Sequence, residues 1–193
     1  FVYFRFPGQE KVKIIDGVPE GWEEKTLGDI LEIKKGKNIT KDTAIEGKIP
    51  VVAGGLTPAY YHNKPNVSGP VITISASGAN AGYVNLYHED IWASDCSYIN
   101  SDSTPLMYYY YLLLKTRQKE ITGLQRGAAQ PHVYPKDIMN LTVSYLPNEI
   151  TNSFENKVTP VFNLIKNLTI QNQKLAQARD LLLPRLMNGT IQV

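Results

Sequence analysis

Between Phe154 and Leu182, an alternating four-then-three spacing picks out Phe154, Val158, Val161, Ile165, Leu168, Asn172, Leu175, Arg179 and Leu182, and seven of these nine are apolar. Apolar residues repeating every 3.5 positions draw a single stripe along a helix, and such a stripe is the seam of a coiled coil. Asn172 is the polar member that typically fixes register or partner number. The spacing predicts a helix from about Glu149 to Met187, roughly 60 Å long at 1.5 Å per residue. That length cannot pack fully on the rest of so short a chain, so much of the seam needs another helix. Pro160 is the interruption. It either bends the helix or, with Thr159 as N-cap, starts a second one; the unbroken spacing favours a bent but continuous helix.

The whole chain has 193 residues, enough for one ordinary domain with an appendage or for two small domains. With 42% apolar and 20% charged residues it is a folding chain. Its formal charge of +2 is too near zero to announce a nucleic-acid partner, so any basic patch must be local. Cys96 is the single cysteine, which excludes an internal disulfide framework and any multi-cysteine metal site and fits a reducing cytoplasm. The longest apolar run, Met107 to Leu114, is too short to span a bilayer. The start, Phe1-Val-Tyr-Phe-Arg-Phe-Pro7-Gly8, lacks a signal architecture and reads as the beginning of a fragment or processed chain.

Composition divides the chain into three. Residues 1–22 read as an extended connector punctuated by Gly17, Pro19 and Gly21, residues 23–146 as a compact body, and residues 147–193 as the long helix and its tail. In the body, Leu27 to Ile33 is a short helix or strand entering a lysine-rich loop, and Pro50 to Ala53 is a buried strand. Val71–Ser75 and Tyr83–Tyr87 form a hairpin about Gly78 and Gly82, and Ile91 to Ser94 is a further strand. Thr104-Pro105 then offers an N-cap and a first-turn proline for one helix, Leu106 to Ile121, closed by Gly123. The intermixing makes the body α/β or α+β.

Catalytic patterns are weak. The stretch Ser75-Ala-Ser-Gly78-Ala-Asn-Ala-Gly82 follows a strand but lacks the Lys-Ser/Thr of a phosphate loop and fails the dinucleotide spacing. It reads as a hairpin turn or, alternatively, as a loop whose amides, Ser77 and Asn80 approach DNA. Glu32 and Lys34 with Asp16 or Asp29 imitate a nuclease metal site only crudely. Cys96 with His88 is a poor nucleophile–base pair, and a lone cysteine is more often core. No catalytic residue, metal ligand or cofactor site is expected.

Two loops suit DNA instead. Lys34-Lys35-Gly-Lys37-Asn38-Ile-Thr40-Lys41 places four lysines within eight residues in what reads as a flexible loop, with Asn38 and Thr40 able to reach bases. A solvated surface loop is the plain alternative. Gln125-Arg126-Gly127-Ala-Ala-Gln130-Pro-His132 joins a guanidinium, an amide and an imidazole. Arg126 and Gln130 have forks for guanine and adenine respectively, or else brace a turn before Val133.

The end of the chain, Arg179-Asp180-Leu-Leu-Leu-Pro184-Arg185-Leu-Met-Asn188-Gly189-Thr-Ile191-Gln-Val193, resembles the close of the specificity (S) subunit of type I restriction-modification systems, the HsdS family. Pro19-x-Gly21-Trp22 followed by Leu27-Gly28-Asp29, the Arg126–Gln130 loop, the long helix and the aromatic start are similar too. The resemblance implies a target-recognition domain plus conserved helix, here expected to be the C-terminal half of a two-domain subunit. In such a subunit each domain reads one part of a bipartite duplex DNA site and the two helices pack antiparallel. Methyltransferase (M) subunits, and through them a restriction (R) subunit, dock around the assembly. Methyl transfer, base flipping and cleavage then belong to those partners, in the cytoplasm. Many members place Glu-Asn where this chain has Gln171-Asn172, so the pairing role carries over and the detailed contacts do not. Base-contacting positions do not carry over either. Two rival readings are the recognition domain of a single-chain methyltransferase–nuclease and a non-DNA scaffold with a ligand-binding α/β body. The coding sequence upstream of Phe1 separates the first from a type I subunit, and salt-dependent DNA affinity separates the second.

Overall fold

A computed structural model describes residues 13–15, 18–127 and 129–190. The aromatic start, Asp16, Gly17 and the last three residues lie outside them. In chain order the elements are β1 (Ile14–Ile15), β2 (Val18–Pro19), β3 (Glu23–Thr26), α1 (Leu27–Ile30), β4 (Lys34–Lys35), β5 (Ile49–Val52), β6 (Tyr60–His62), β7 (Val71–Ser75), β8 (Val84–Tyr87), β9 (Trp92–Ala93), β10 (Cys96–Asn100), α2 (Met107–Thr116), α3 (Gln118–Gly123), α4 (Pro135–Met139), β11 (Thr142–Tyr145) and α5 (Asn148–Met187).

Every residue of β7 is buried, as expected of a strand covered on both faces. It sits inside an antiparallel sheet of order β4-β10-β7-β8. Alternate side chains leave that sheet in opposite directions. Ile72, Ile74 and Ile99 enter a cluster with Leu27, Met107, Tyr110, Leu114, Ile121 and Ile138 from the helices. Val71 and Cys96 join Val52, Val67, Ile91 and Ala93 in a second cluster. A smaller sheet, β6-β5-β9, supplies that second side, with β5 and β9 parallel (Val51 opposite Trp92). A third pairing, β3 with β11, brings Thr142 opposite Thr26. The mixed α/β body followed by a long helix is therefore the fold.

The predicted hairpin is present, with Ile74 opposite Val84, and the strands at residues 50–53 and 91–94 appear as β5 and β9. The single helix expected from Leu106 to Ile121 is a correction: it is two helices, and the residue capping the first is Leu106, after Pro105. The Thr104 hydroxyl accepts from the Leu106 amide at 3.1 Å. The break falls at Arg117 (φ −97°, ψ 17°) because its neighbours are tied elsewhere. Gln118 accepts from Val84 N–H at 2.9 Å and donates to Gly82 C=O at 2.8 Å, while Arg117 donates to Thr142 C=O at 2.5 Å. These sheet contacts replace the last turns of a straight helix, and Gly123 lies within α3 instead of beyond it.

Helix α5 runs for 40 residues, with Pro160 and Pro184 inside it. Pro160 does not divide it. The chain falls into two compact units, and the boundary between Glu155 and Asn156 lies within this helix. In the first unit Ile150 and Thr151 are buried, and the Phe154 ring meets Tyr109 edge-on at 6.0 Å. Glu155 accepts from the Tyr108 and Tyr109 amides at 3.0 and 2.8 Å, satisfying two otherwise orphan N–H groups in the first turn of α2. Phe154, expected on the pairing seam, is thus engaged inside the body; its heptad position coincides with a tertiary contact that the repeat does not reveal.

Candidate nucleic-acid interface

Strand register gathers the polar loops at one end of the central sheet. Lys35 is opposite Ser97, and Ser75 is opposite Cys96, so the last residues of β4 and β7 lie beside the first of β10. The lysine segment emerges there. Lys34 and Lys35 are in β4, which corrects the expectation that all four lysines share a flexible loop. The segment after them is fastened down. Gly36 N–H donates to Cys96 C=O (2.8 Å) and Lys37 N–H to Ala93 C=O (2.9 Å), while the Trp92 indole donates to Lys37 C=O (2.8 Å). Ile39 N–H donates to the Ser94 hydroxyl (3.2 Å), and the Tyr60 hydroxyl donates to Ile39 C=O (2.5 Å). Fixed backbone under exposed side chains is the result: Lys35, Lys37, Asn38 and Thr40 all face solvent, and Lys34 is half-buried. The Thr40 hydroxyl also shares a 3.0 Å hydrogen bond with Thr43.

Asp95 links this segment to the glycine-rich turn. Its C=O accepts from Ala76 N–H at 3.2 Å and its carboxylate accepts from the Ser77 hydroxyl. The stretch is a hairpin turn, with Gly82 N–H returning to Ser75 C=O at 2.8 Å and Tyr83 N–H to Asn80 C=O at 2.9 Å. Ser77 is committed to Asp95, and Asn80 is half-buried. Gly78 N–H donates to Pro131 C=O at 3.0 Å, and Val133 N–H to Ala76 C=O at 2.9 Å, so the second DNA-suited loop rests on the turn.

That second loop is closed by paired backbone bonds between Arg126 and His132, both 2.9 Å. Gly127 holds a positive φ of 92°, a conformation other residues rarely take. Ala128 lies outside the described residues. The Arg126 guanidinium meets the Asp137 carboxylate of α4 at 2.5 Å. Gln130 is exposed, and the His132 ring stacks on Tyr134 with centroids 6.1 Å apart and planes 16° apart. Neither Tyr134 nor Asp137 stands out in the sequence. The available signal was Tyr134-Pro135, an extended residue followed by proline at a helix start, which puts both beside the loop.

The rejected catalytic sets are occupied otherwise. Asp29 accepts from the Thr26 hydroxyl (2.6 Å) and amide (3.1 Å), bonds that hold its carboxyl below the usual range. His88 lies by the Tyr108 ring at 6.0 Å. Burial, and then the Asp95 charge, push the Cys96 thiol up to about 12, and its sulfur faces Val52 C=O at 3.7 Å. Cys96 is therefore expected to resist iodoacetamide at pH 8 in the folded chain and to react once denatured, as mass spectrometry would show. Rapid native labelling would contradict this burial. Among the described residues no three His, Cys, Asp or Glu side chains converge for a metal, and no helix is long and apolar enough to cross a membrane.

In the second unit the seam is open. Val161, Ile165, Leu168, Asn172, Leu175 and Leu182 are exposed, and Leu164, Leu181, Leu183 and Leu186 widen the apolar face. Val158, close to the body's end of the seam, is half-buried.

The α/β body and most of the long helix fall together within one family. The model of the type I restriction modification DNA specificity domain covers residues 19–178, and the chain belongs to that family. It is 28% identical to the type I restriction enzyme MjaIX specificity subunit of Methanocaldococcus jannaschii, over 91% of this chain and 46% of that protein. It is 29% identical to the HindI specificity subunit of Haemophilus influenzae, over 90% of this chain and 42% of that one. In fold it is similar to the type I restriction-modification S subunit from M. genitalium, with a TM-score of 0.70 at 21% identity over 92% of this chain and 46% of the other. The HsdS subunit from Thermoanaerobacter tengcongensis is also similar, with a TM-score of 0.54 at 18% identity over 78% and 39%. The chain spans less than half the length of each of these proteins.

Proposed function

We propose that this chain is one recognition-domain-plus-helix portion of a type I specificity subunit, reading one part of a bipartite target on duplex DNA. The observation that carries the reading is the family match at residues 19–178, which takes in the body and most of the long helix together. Helix α5 pairs through its seam with a second such helix, in the same subunit or in a second copy. Methyltransferase subunits, and through them a restriction subunit, dock on the assembly and perform methyl transfer and cleavage in the cytoplasm. The chain itself is non-catalytic and holds no cofactor.

The sheet end described above is the DNA face. Lys35 and Lys37 position the duplex through phosphates, with Lys34 contributing from its half-buried place, and Asn38, Thr40, Gln130 and His132 reach base edges. Ser77 and Asn80 support this face from the turn beneath. In the assembly with a methyltransferase subunit, Lys35→Ala or Lys37→Ala is expected to weaken binding to all duplexes alike. Each should make the plot of log affinity against log salt shallower by about one unit. The check is a fluorescence-anisotropy titration at several salt concentrations. An unaltered assembly whose DNA affinity does not change with salt would sink the proposal.

A further inference from the structure

The Arg126–Asp137 pair does little for the turn it joins. That turn is already closed by the two Arg126–His132 backbone bonds and seated on Ala76 and Gly78. The Arg126 side chain is 70% exposed, and an ion pair with so exposed a cation contributes little to stability. Asp137 is different: its side chain is 11% exposed, one carboxylate oxygen takes Arg126, and the other is buried with no hydrogen-bond partner. Its position in α4 is set by the buried Ile138 beside it. A fixed carboxylate therefore grips one terminal nitrogen of a guanidinium and leaves most of that group in solvent.

A guanidinium is planar and rigid, with donors remaining after one nitrogen is engaged. Holding it by one corner fixes the direction of the others and removes rotamer freedom before any ligand arrives. Guanine O6 and N7 are the acceptor pair such a fork matches in the major groove. We infer that Arg126 is the guanine-reading group of this body and that Asp137 is its positioning residue. This inference rests on the DNA-recognition reading above and adds to it which base is read and how the reader is aimed.

The full chain, assembled with its methyltransferase subunit, is incubated with a pool of duplexes randomised over the binding site, and the bound fraction is sequenced. The unaltered assembly should select guanine at a fixed position. Arg126→Lys keeps the charge but not the fork, and should lower that preference about ten-fold while other positions and the salt slope hold. Asp137→Asn should weaken the same position, and adding it to Arg126→Lys should cost little more, because both changes act on one contact. If Arg126→Lys leaves the base preference unchanged, the inference is overturned. It is equally overturned if a folded Asp137→Asn variant keeps every base preference intact, whatever its melting temperature. Should Asp137→Asn not fold, Arg126→Lys decides alone. An unaltered assembly that selects no sequence at all overturns the recognition reading instead.

Discussion

The unaltered chain is expected to run as a homodimer, and with Ile165 and Leu168 both replaced by Asp it should run as a monomer at the same concentration. The two residues are 46% and 48% exposed and stand in consecutive turns of a seam that continues to Leu175 and Leu182. An apolar stripe of that length, left in water, favours association with a like stripe. In the paired state each introduced carboxylate would have to enter an apolar interhelical layer, at about several kcal/mol apiece. Because both positions lie beyond the boundary at Glu155, the body should fold as before, and its melting temperature serves as the control. Light scattering over a concentration series gives the answer. A monomeric unaltered chain at high concentration, or a dimer that survives both substitutions, would show that the seam is not the pairing surface.

This seam was the most legible part of the molecule, because a helical repeat is a local property: each position announces itself by its distance from the last. Phe154 marks where that logic stops. It keeps the period, yet its ring is against Tyr109 in the body, and no spacing rule distinguishes a seam residue from one claimed by a distant helix. The body divides the same way. The β7–β8 hairpin could be read from two β-rich runs around glycines, whereas β10, which joins β7 to β4, could not. Its sequence Cys-Ser-Tyr-Ile-Asn buries Ser97 and Asn100, polar residues that lower its strand signal although the sheet encloses them. Likewise α2 and α3 read as one helix because the cause of the break, Gln118 reaching Gly82 and Val84, lies more than thirty residues away. At the candidate site, lysine clustering and the Arg-Gln-His composition singled out the two segments. Their geometry was tertiary: Asp137 grips Arg126 from another element, and the lysine segment is tied to β9 and β10 rather than free.

Gly36→Ala is the second change with a large expected effect, because it tests whether that tie matters. A Cβ at this position would lie 2.2 Å from Ser94 O, 2.8 Å from Ala93 O and 2.9 Å from Ala93 C, all backbone atoms that no rotamer change can withdraw. Relief requires residues 36–39 to lift from the strands beneath, breaking the bonds of Gly36, Lys37 and Ile39 together. The overpacking cost should be about 3 kcal/mol, or about 6–12 °C in melting temperature for a chain of this size. Function should suffer beyond the stability loss. With Lys37 displaced while Lys35 stays in β4, the salt slope of DNA binding should fall by about one unit even at temperatures where the chain remains folded. Gly123→Ala is the matched control, since nothing lies within 4 Å of a Cβ there and alanine is the better helix former. Calorimetry and the salt titration are run on both variants. If Gly36→Ala melts low yet keeps the full salt slope, the anchored Lys37 is not among the groups that hold the phosphates.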